Sequence, residues 1–219
     1  MSAKPRIVLL HGTPVAMVPI QQAFAAGWPE AEIVDLLDAS LSVDRAKDHD
    51  LTPRMFERFM ELGGYAHRIG ADGILVTCSA FGPAIERMGR ELPIPVLKPN
   101  DAMFQAALAR GTRLGMLATF APSVLTMTQE FDEFVREAGS AATLRTIVVE
   151  GAMDALRKGD AETHNSLVAA RAPELADCDA IMLAHFSTSR AYERTCAAVG
   201  TPVLTSPNSA VARVRELVG

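Results

Sequence analysis

The sequence predicts an α/β protein of two pseudo-symmetric, doubly wound lobes with parallel sheets. Two observations predict this class. Short apolar runs alternate with longer helical patterns along the whole chain, and fragments of the first half return about 107 residues later. Alternating strands and helices join in parallel, because the helix supplies the crossover that a parallel pair needs. The clearest repeat sets Asp72-Gly73-Ile74-Leu75-Val76-Thr77-Cys78-Ser79 against Asp179-Ala180-Ile181-Met182-Leu183-Ala184-His185-Phe186. Pro95-Val96-Leu97 returns as Pro202-Val203-Leu204, and Leu10-His11-Gly12-Thr13 lies opposite Leu117-Ala118-Thr119. A duplicated α/β unit places its ligand where the carboxyl ends of both strand sets converge. The repeat therefore predicts a cleft with Cys78 and His185 on opposite walls.

The elements follow in order. Arg6 to Leu10 reads as a buried strand, Ala16 to Ala26 as an amphipathic helix and Ala31 to Leu36 as a second strand. Thr52 can cap a helix with Pro53 in its first turn, running to about Ile69 and stopped by Gly70. Ile74 to Thr77 is the third strand, a helix starts near Ser79, and Ile94 to Leu97 is the fourth. Asn100 or Asp101 caps a helix that ends before Gly111. In the second half the strands are Leu114 to Ala118, Leu144 to Val149, Ala180 to Ala184 and Val203 to Thr205. Helices are expected near 122–138, 161–176, 189–199 and 208–218. Asp38 to Leu51, polar and rich in Asp and Ser, reads as a loop at the mouth of the cleft or on the surface. This divides the chain into a first lobe of residues 1–98 plus 208–219 and a second of residues 99–207.

Composition narrows the partners. A chain of 219 residues with 49% hydrophobic content can bury a core in each of two lobes. A formal charge of −5 without a Lys/Arg cluster gives no footprint for nucleic acid or an anionic membrane, and a small-molecule partner is expected. No apolar run approaches the roughly 20 residues of a membrane span, and no signal-peptide core precedes the first strand, which predicts a cytoplasmic location. Cysteines 78, 178 and 196 are odd in number and lack paired metal spacing, so thiols are expected rather than disulfides or a zinc site.

The chemistry belongs where strands end and helices begin. Cys78 stands at such a junction, with the backbone NH groups of Ser79 and Ala80 opening a helix. A helix N-terminus favours an anion and lowers the pKa of a nearby thiol, so one geometry can bind a carboxylate and supply a thiolate base. A lone cysteine after a buried strand can equally be a small core residue. Cys178 sits before its strand and Cys196 within a helical pattern, which makes both structural. His11 ends the first strand, expected to neighbour the third, and can relay the thiol proton. His185 ends the matching strand of the second lobe. His49, His67 and His164 read as solvated. Lys98 is the only Lys or Arg at a strand tip, the carboxyl end of a strand. Phe81, Phe120 and Phe186 each follow a tip and either line a pocket or fill a core.

These tips, Val76-Thr77-Cys78-Ser79-Ala80, His11-Gly12-Thr13, Leu117-Ala118-Thr119 and Leu183-Ala184-His185-Phe186, resemble the aspartate/glutamate racemase superfamily over almost the whole chain. That superfamily includes glutamate, aspartate and hydantoin racemases, maleate isomerase and arylmalonate decarboxylase. The resemblance implies two α/β lobes, no cofactor, no metal, and one cysteine from each lobe acting on opposite faces of the substrate α-carbon. Cys78 matches the first cysteine and His185 takes the place of the second. His11 falls where glutamate racemase has an aspartate that supports the first cysteine. The groups that hold the substrate carboxylate correspond to Ser79, Ala80, Thr119, Ser123, Ser187 and Thr188, with Thr13 at the first tip, and the resemblance raises a homodimer as the assembly. Three functions stay open: a racemase or isomerase moving a proton next to a carboxylate or hydantoin carbonyl, a one-cysteine decarboxylase or lyase, and a noncatalytic binding protein.

Overall fold

A computed structural model describes residues 4–45, 47–48 and 51–219 of the chain. It divides into two compact units, Met1–Pro99 with Ala210–Gly219, and Asn100–Ser209. His49, expected to be solvated, lies outside the described residues.

The first unit contains β1 (Arg6–His11), α1 (Met17–Gly27), β2 (Glu32–Leu37), α2 (Ser40–Arg45), α3 (Pro53–Arg68), β3 (Gly73–Val76), α4 (Gly82–Glu91) and β4 (Val96–Leu97). Its sheet is parallel, in the order β2-β1-β3-β4. Between Arg6 and His11 central β1 is continuously apolar, as is β3, because both faces are covered. On one face Val8, Leu10, Ile74 and Val76 meet Met55 and Phe59 of α3 and Ile85 and Met88 of α4. Phe59 and Phe81 lie with ring centroids 4.6 Å apart in this core. Gly73 faces the other way, where a Cβ would come 3.1 Å from Val218 and 3.5 Å from Val214.

The second unit contains α5 (Asp101–Leu108), β5 (Arg113–Ala118), α6 (Val124–Glu137), β6 (Thr143–Val148), α7 (Ala152–Arg157), α8 (Ala161–Arg171), β7 (Ala180–Leu183), α9 (His185–Thr188), α10 (Tyr192–Ala198) and β8 (Val203–Thr205). Helix α11 (Ser206–Val218) starts here and ends in the first unit. The sheet order β6-β5-β7-β8 repeats that of the first unit. Alternate residues feed two cores: Leu114, Met116, Ala180 and Met182 join Phe104 and Phe131 on one face. Leu117, Ile181 and Leu183 join Ala152, Val168 and Leu175 on the other. Helices on both faces are what doubly wound means in physical terms.

The duplication extends to register. Ile7 pairs with Gly73 and Leu114 with Ala180, while Ile74 pairs with Val96 and Ile181 with Val203. A carboxylate clamp repeats as well. Asp72 accepts the Arg6 NH at 2.7 Å, and Asp179 accepts the NH groups of Thr112 and Arg113 at 2.9 Å, so each sheet pins the start of its first strand.

All eight expected strands form, within one or two residues of their expected bounds. Thr52 caps α3 through the Met55 NH, and Gly70 takes the left-handed conformation after it with φ 82°. Two expectations need correction, and one helix has no counterpart in the sequence pattern. The stretch after Asp38 is not all loop: α2 forms because Asp38 accepts the Ser40 NH at 3.0 Å and Arg58 reaches Asp38 at 2.5 Å and Asp44 at 2.7 Å. Ion pairs replace an apolar stripe there, and only Leu41 is buried. Asn100 occupies the cap position of α5, but its side chain serves Ser206 and Glu130 instead. Short α7, bracketed by Gly151 and Gly159 at positive φ, carried no usable periodicity.

Gly111 provides a test of this clamp. Its φ of 158° lies at the edge of the region glycine favours, and an added Cβ would stand 2.5 Å from the Asp179 Cβ. Gly111→Ala should cost about 2 kcal/mol or more in urea unfolding, through overpacking and the displaced carboxylate. Gly139→Ala, at φ 61° with open space around it, should cost only about 1 kcal/mol for the left-handed backbone. Equal costs would show that the carboxylate contact is not what restricts Gly111.

Candidate active site

At the carboxyl end of the first sheet, β1, β2 and β3 are tied through one buried imidazole. His11 is wholly buried. Its Nε2 lies 2.9 Å from Asp35 Oδ1, and its Nδ1 lies 2.8 Å from Thr77 Oγ1. The Asp35 carboxylate can only accept, so Nε2 carries the hydrogen; burial lowers the His11 pKa, with Asp35 pulling the other way, and the neutral ring accepts from Thr77 at Nδ1. Gln21 donates to the second Asp35 oxygen at 2.7 Å. Both ring nitrogens are therefore taken. The expected direct relay from Cys78 to His11 is replaced by an indirect link, in which His11 fixes Thr77, the residue that precedes the thiol.

Cys78 itself is half-buried, with extended backbone, at the cap position of a 3-10 turn over Ser79–Phe81. The helix proper opens only at Gly82, one turn later than the sequence suggests, so Ser79 and Ala80 present their NH groups at the 3-10 turn. Gly12 borders the thiol: a Cβ there would sit 3.5 Å from Cys78 Sγ and 3.4 Å from Ser42 Oγ. Ser42 donates to the Gly12 carbonyl, and Arg45 Nε donates to the Ala80 carbonyl at 3.3 Å. Helix α2 thus brings a hydroxyl and a guanidinium to the Cys78 tip. Thr13 is half-buried and makes no capping bond. Lys98 pairs with Glu86 at 3.0 Å.

The second sheet ends differently. Thr119 and Thr188 are buried and share a hydrogen bond of 3.2 Å; Ser187 is buried beside them in sequence. His185 follows β7 with φ 68°, the only described residue other than glycine at positive φ. Its Nε2 lies 2.7 Å from Ser123 Oγ, and Nδ1 is enclosed without a hydrogen-bond partner. The residue as a whole is half-buried, but the enclosed side makes charging costly. Burial lowers the His185 pKa to about 4, against a smaller opposite pull from the Ala184 backbone.

The remaining candidates sort by burial. Phe81 and Phe186 are core residues, while Phe120 is 37% exposed with the Arg157 guanidinium 5.7 Å from its ring centroid. His67 is exposed, but His164 is wholly buried rather than solvated, its Nδ1 bonded to Asn165 and its Nε2 unpartnered. Asp35, Ser42 and Arg45 escaped sequence reasoning, because two lie in a polar stretch without periodicity and Asp35 lies within a strand. Among the described residues, no group of three or more His, Cys, Asp or Glu could hold a metal ion, and no cysteine forms a disulfide.

Burial lowers the pKa values of His11, His164 and His185 alike. The unfolded chain binds protons below about pH 6.5 that the folded chain refuses, so stability is full above that value and falls as the pH drops toward 4. Thermal unfolding between pH 7.5 and 4.5 should show this loss, and His164→Gln should flatten the slope. A variant with the unchanged slope would remove His164 from the account.

A model of the Asp/Glu/hydantoin racemase family matches residues 19–144, more than half of the chain, including the Cys78 tip and stopping before His185. No curated protein sequence matches significantly. Solved structures with a similar fold include an aspartate racemase homologue from Pyrococcus horikoshii OT3, at TM-score 0.73 and 16% identity over 97% of this chain and 98% of that one. Allantoin racemase from Klebsiella pneumoniae gives TM-score 0.71 and 19% identity, covering 98% and 88%. A mutant of arylmalonate decarboxylase in its sulfate-associated form gives 0.69 and 18%, covering 98% and 94%. At these identities the structural likeness is one of fold, and the family model carries the assignment: the chain belongs to the Asp/Glu/hydantoin racemase family.

Proposed function

We propose that the protein is a cofactor-independent racemase or isomerase that moves a proton at the carbon next to a carboxylate, or a hydantoin carbonyl, of a small acid. The observation that carries this reading is the thiol of Cys78, half-buried at the open end of a buried strand in a chain of this family. Removing a proton next to a carboxylate builds charge on its oxygens, which donors must stabilise. The Ser79 and Ala80 NH groups are proposed to do so at the first tip, with Thr13. Thr119, Ser187 and Thr188 are the corresponding groups at the second, where the Ser123 hydroxyl is already given to the Phe120 carbonyl. Cys78 exchanges the proton on one face of the substrate carbon, and His185 is proposed to serve the other face. The pairing rests on the internal repeat and the family resemblance. His11 enters as the group that holds Thr77.

A second reading has its own support. His185 is a largely uncharged imidazole where the resemblance places a thiol, and the fold is shared with arylmalonate decarboxylase. Cys78 would then act alone as the proton donor of a decarboxylase or lyase. The acid substrate remains the same class in both readings. The family is also consistent with a homodimer and a cytoplasmic enzyme.

Cys78 should be alkylated by iodoacetamide faster than Cys178, whose thiol burial pushes up in pKa. Cys78→Ala should fold normally and lose turnover by about a thousandfold or more, as expected for a principal acid/base group. A fully active alanine variant with a slow-reacting Cys78 would sink the mechanism.

The two readings separate by stereochemistry. A single-enantiomer or prochiral substrate should give racemic product if His185 works as second acid/base, and product of one hand if it does not. His185→Ala should then abolish racemisation in the first case and leave most activity in the second. His185→Cys should retain racemisation, with the pH limb moved toward a thiol value of roughly 8 to 9. Racemic product from the alanine variant would exclude His185 from proton transfer.

A further inference from the structure

Helix α2 has six residues, and a helix that short does not hold itself together in water. Leu41 is its only buried residue, so its order must come from contacts with other elements. One side chain of α3 reaches both of its ends. Arg58 Nη2 donates to Asp38 Oδ2 and to Ser40 Oγ, each at 2.5 Å, and Nη1 donates to Asp44 Oδ2 at 2.7 Å. The Arg58 side chain is 20% exposed and those of Asp38 and Asp44 are 27% and 38% exposed, so water and salt screen these pairs less than they would on an open surface. Lys47 also pairs with Asp44, at 3.1 Å, but it lies just beyond α2 in the chain and ties the helix to no other element.

Two further side chains of α2 bond to the two turns that border the thiol. Ser42 donates to the Gly12 carbonyl after β1, and Arg45 Nε donates to the Ala80 carbonyl after β3 at 3.3 Å. Ser42 Oγ and Cys78 Sγ flank the same face of Gly12, at 3.4 Å and 3.5 Å from the point where a Cβ would stand. Because the peptide group is rigid, a carbonyl held at its oxygen fixes the whole peptide plane, and these two bonds set the turns next to the sulfur. Phe59, the neighbour of Arg58 on α3, packs on Phe81 at the end of the Cys78 turn with ring centroids 4.6 Å apart. Helix α3 therefore reaches that turn twice, once through an apolar contact and once through ions and α2.

We propose that Arg58 is a positioning residue for Cys78: it folds α2 against the first strand tip, and α2 fixes the turns beside the thiol through Ser42 and Arg45. All of these residues belong to the first unit. Asp38 and Asp44 converge on the one guanidinium, so its loss leaves two carboxylates without the countercharge that joins the ends of α2. Lysine offers a single ammonium in place of the planar fork and cannot serve Asp38, Ser40 and Asp44 together. The consequence for turnover rests on the function proposed above; the effect on the thiol does not.

Alkylation of Cys78 by iodoacetamide in the full chain, followed by mass spectrometry of the peptide that carries it, reads the thiol without any substrate. A released α2 uncovers the half-buried sulfur, so Arg58→Gln should raise the limiting rate at high pH by about fivefold or more, and Arg58→Lys by less. Iodoacetamide is neutral, and the removed charge does not alter its encounter with the protein. Trp28, the one tryptophan of the chain, is buried in the first unit and should keep its fluorescence, which separates a released helix from a damaged unit. Ser42→Ala should also raise the rate, and the variant carrying both Arg58→Gln and Ser42→Ala should be no faster than the faster single variant, because both substitutions act through one helix. Asp44→Asn, which leaves α3 and the sheet untouched, should raise the rate by about twofold. An unchanged rate in Arg58→Gln or in Asp44→Asn, or effects of Arg58→Gln and Ser42→Ala that multiply, would overturn the proposal. If the thiol responds as expected while no substrate α-proton exchanges, the positioning role stands and the function proposed above fails.

Discussion

Burial of β1, β3, β5 and β7 on both faces leaves polar side chains a place only where these strands stop. A polar group inside such a sheet would lose its water without gaining a partner, at a cost of several kcal/mol, so chemistry is pushed to the carboxyl ends. His11, Thr77 and Cys78 stand there in one unit, and Thr119 and His185 in the other. Each buried member is matched to a partner, with one exception among those tips. The exception is His185 Nδ1.

The duplicated scaffold has been kept while the chemistry at its two ends has diverged. Registers of the central pairs repeat, as does the carboxylate clamp at the start of each sheet's first strand. At the first tip, an imidazole is closed on both sides by Asp35 and Thr77 and serves as a fixed strut under the thiol turn. At the second, an imidazole is held on one side only. The same residue type has both ring nitrogens hydrogen-bonded in one unit and only one in the other. Sequence position alone, at the end of a strand in both cases, could not separate them.

Much of the scaffold was legible because its signals are local and additive. Runs such as Ile74-Leu75-Val76 and Ile181-Met182-Leu183 can be buried strands, and Thr52-Pro53 with Gly70 marks both ends of α3. Helix α2 was not legible. Its stability comes from Arg58 reaching back to Asp38 and Asp44, contacts that no periodicity announces. The same gap hid Ser42 and Arg45, and therefore the donors that α2 brings to the Cys78 tip. Cys78 and His185 were readable as strand-end residues through the repeat, whereas the Asp35 contact, which makes His11 a strut, depends on the pairing of β1 with β2. His164 reads as solvated in a polar stretch and is buried, because helical phase sets its direction and one residue of offset turns a side chain by about 100° around the axis.

The central claim is that this protein moves a proton at a carbon next to a carboxyl or hydantoin carbonyl group through Cys78. The most direct measurement is NMR of the wild-type protein in deuterium oxide with a panel of α-substituted acids and hydantoins. The account predicts loss of the α-proton signal for at least one member of the panel, and no loss with the Cys78→Ala variant. Exchange that persists undiminished in the Cys78→Ala variant would contradict it.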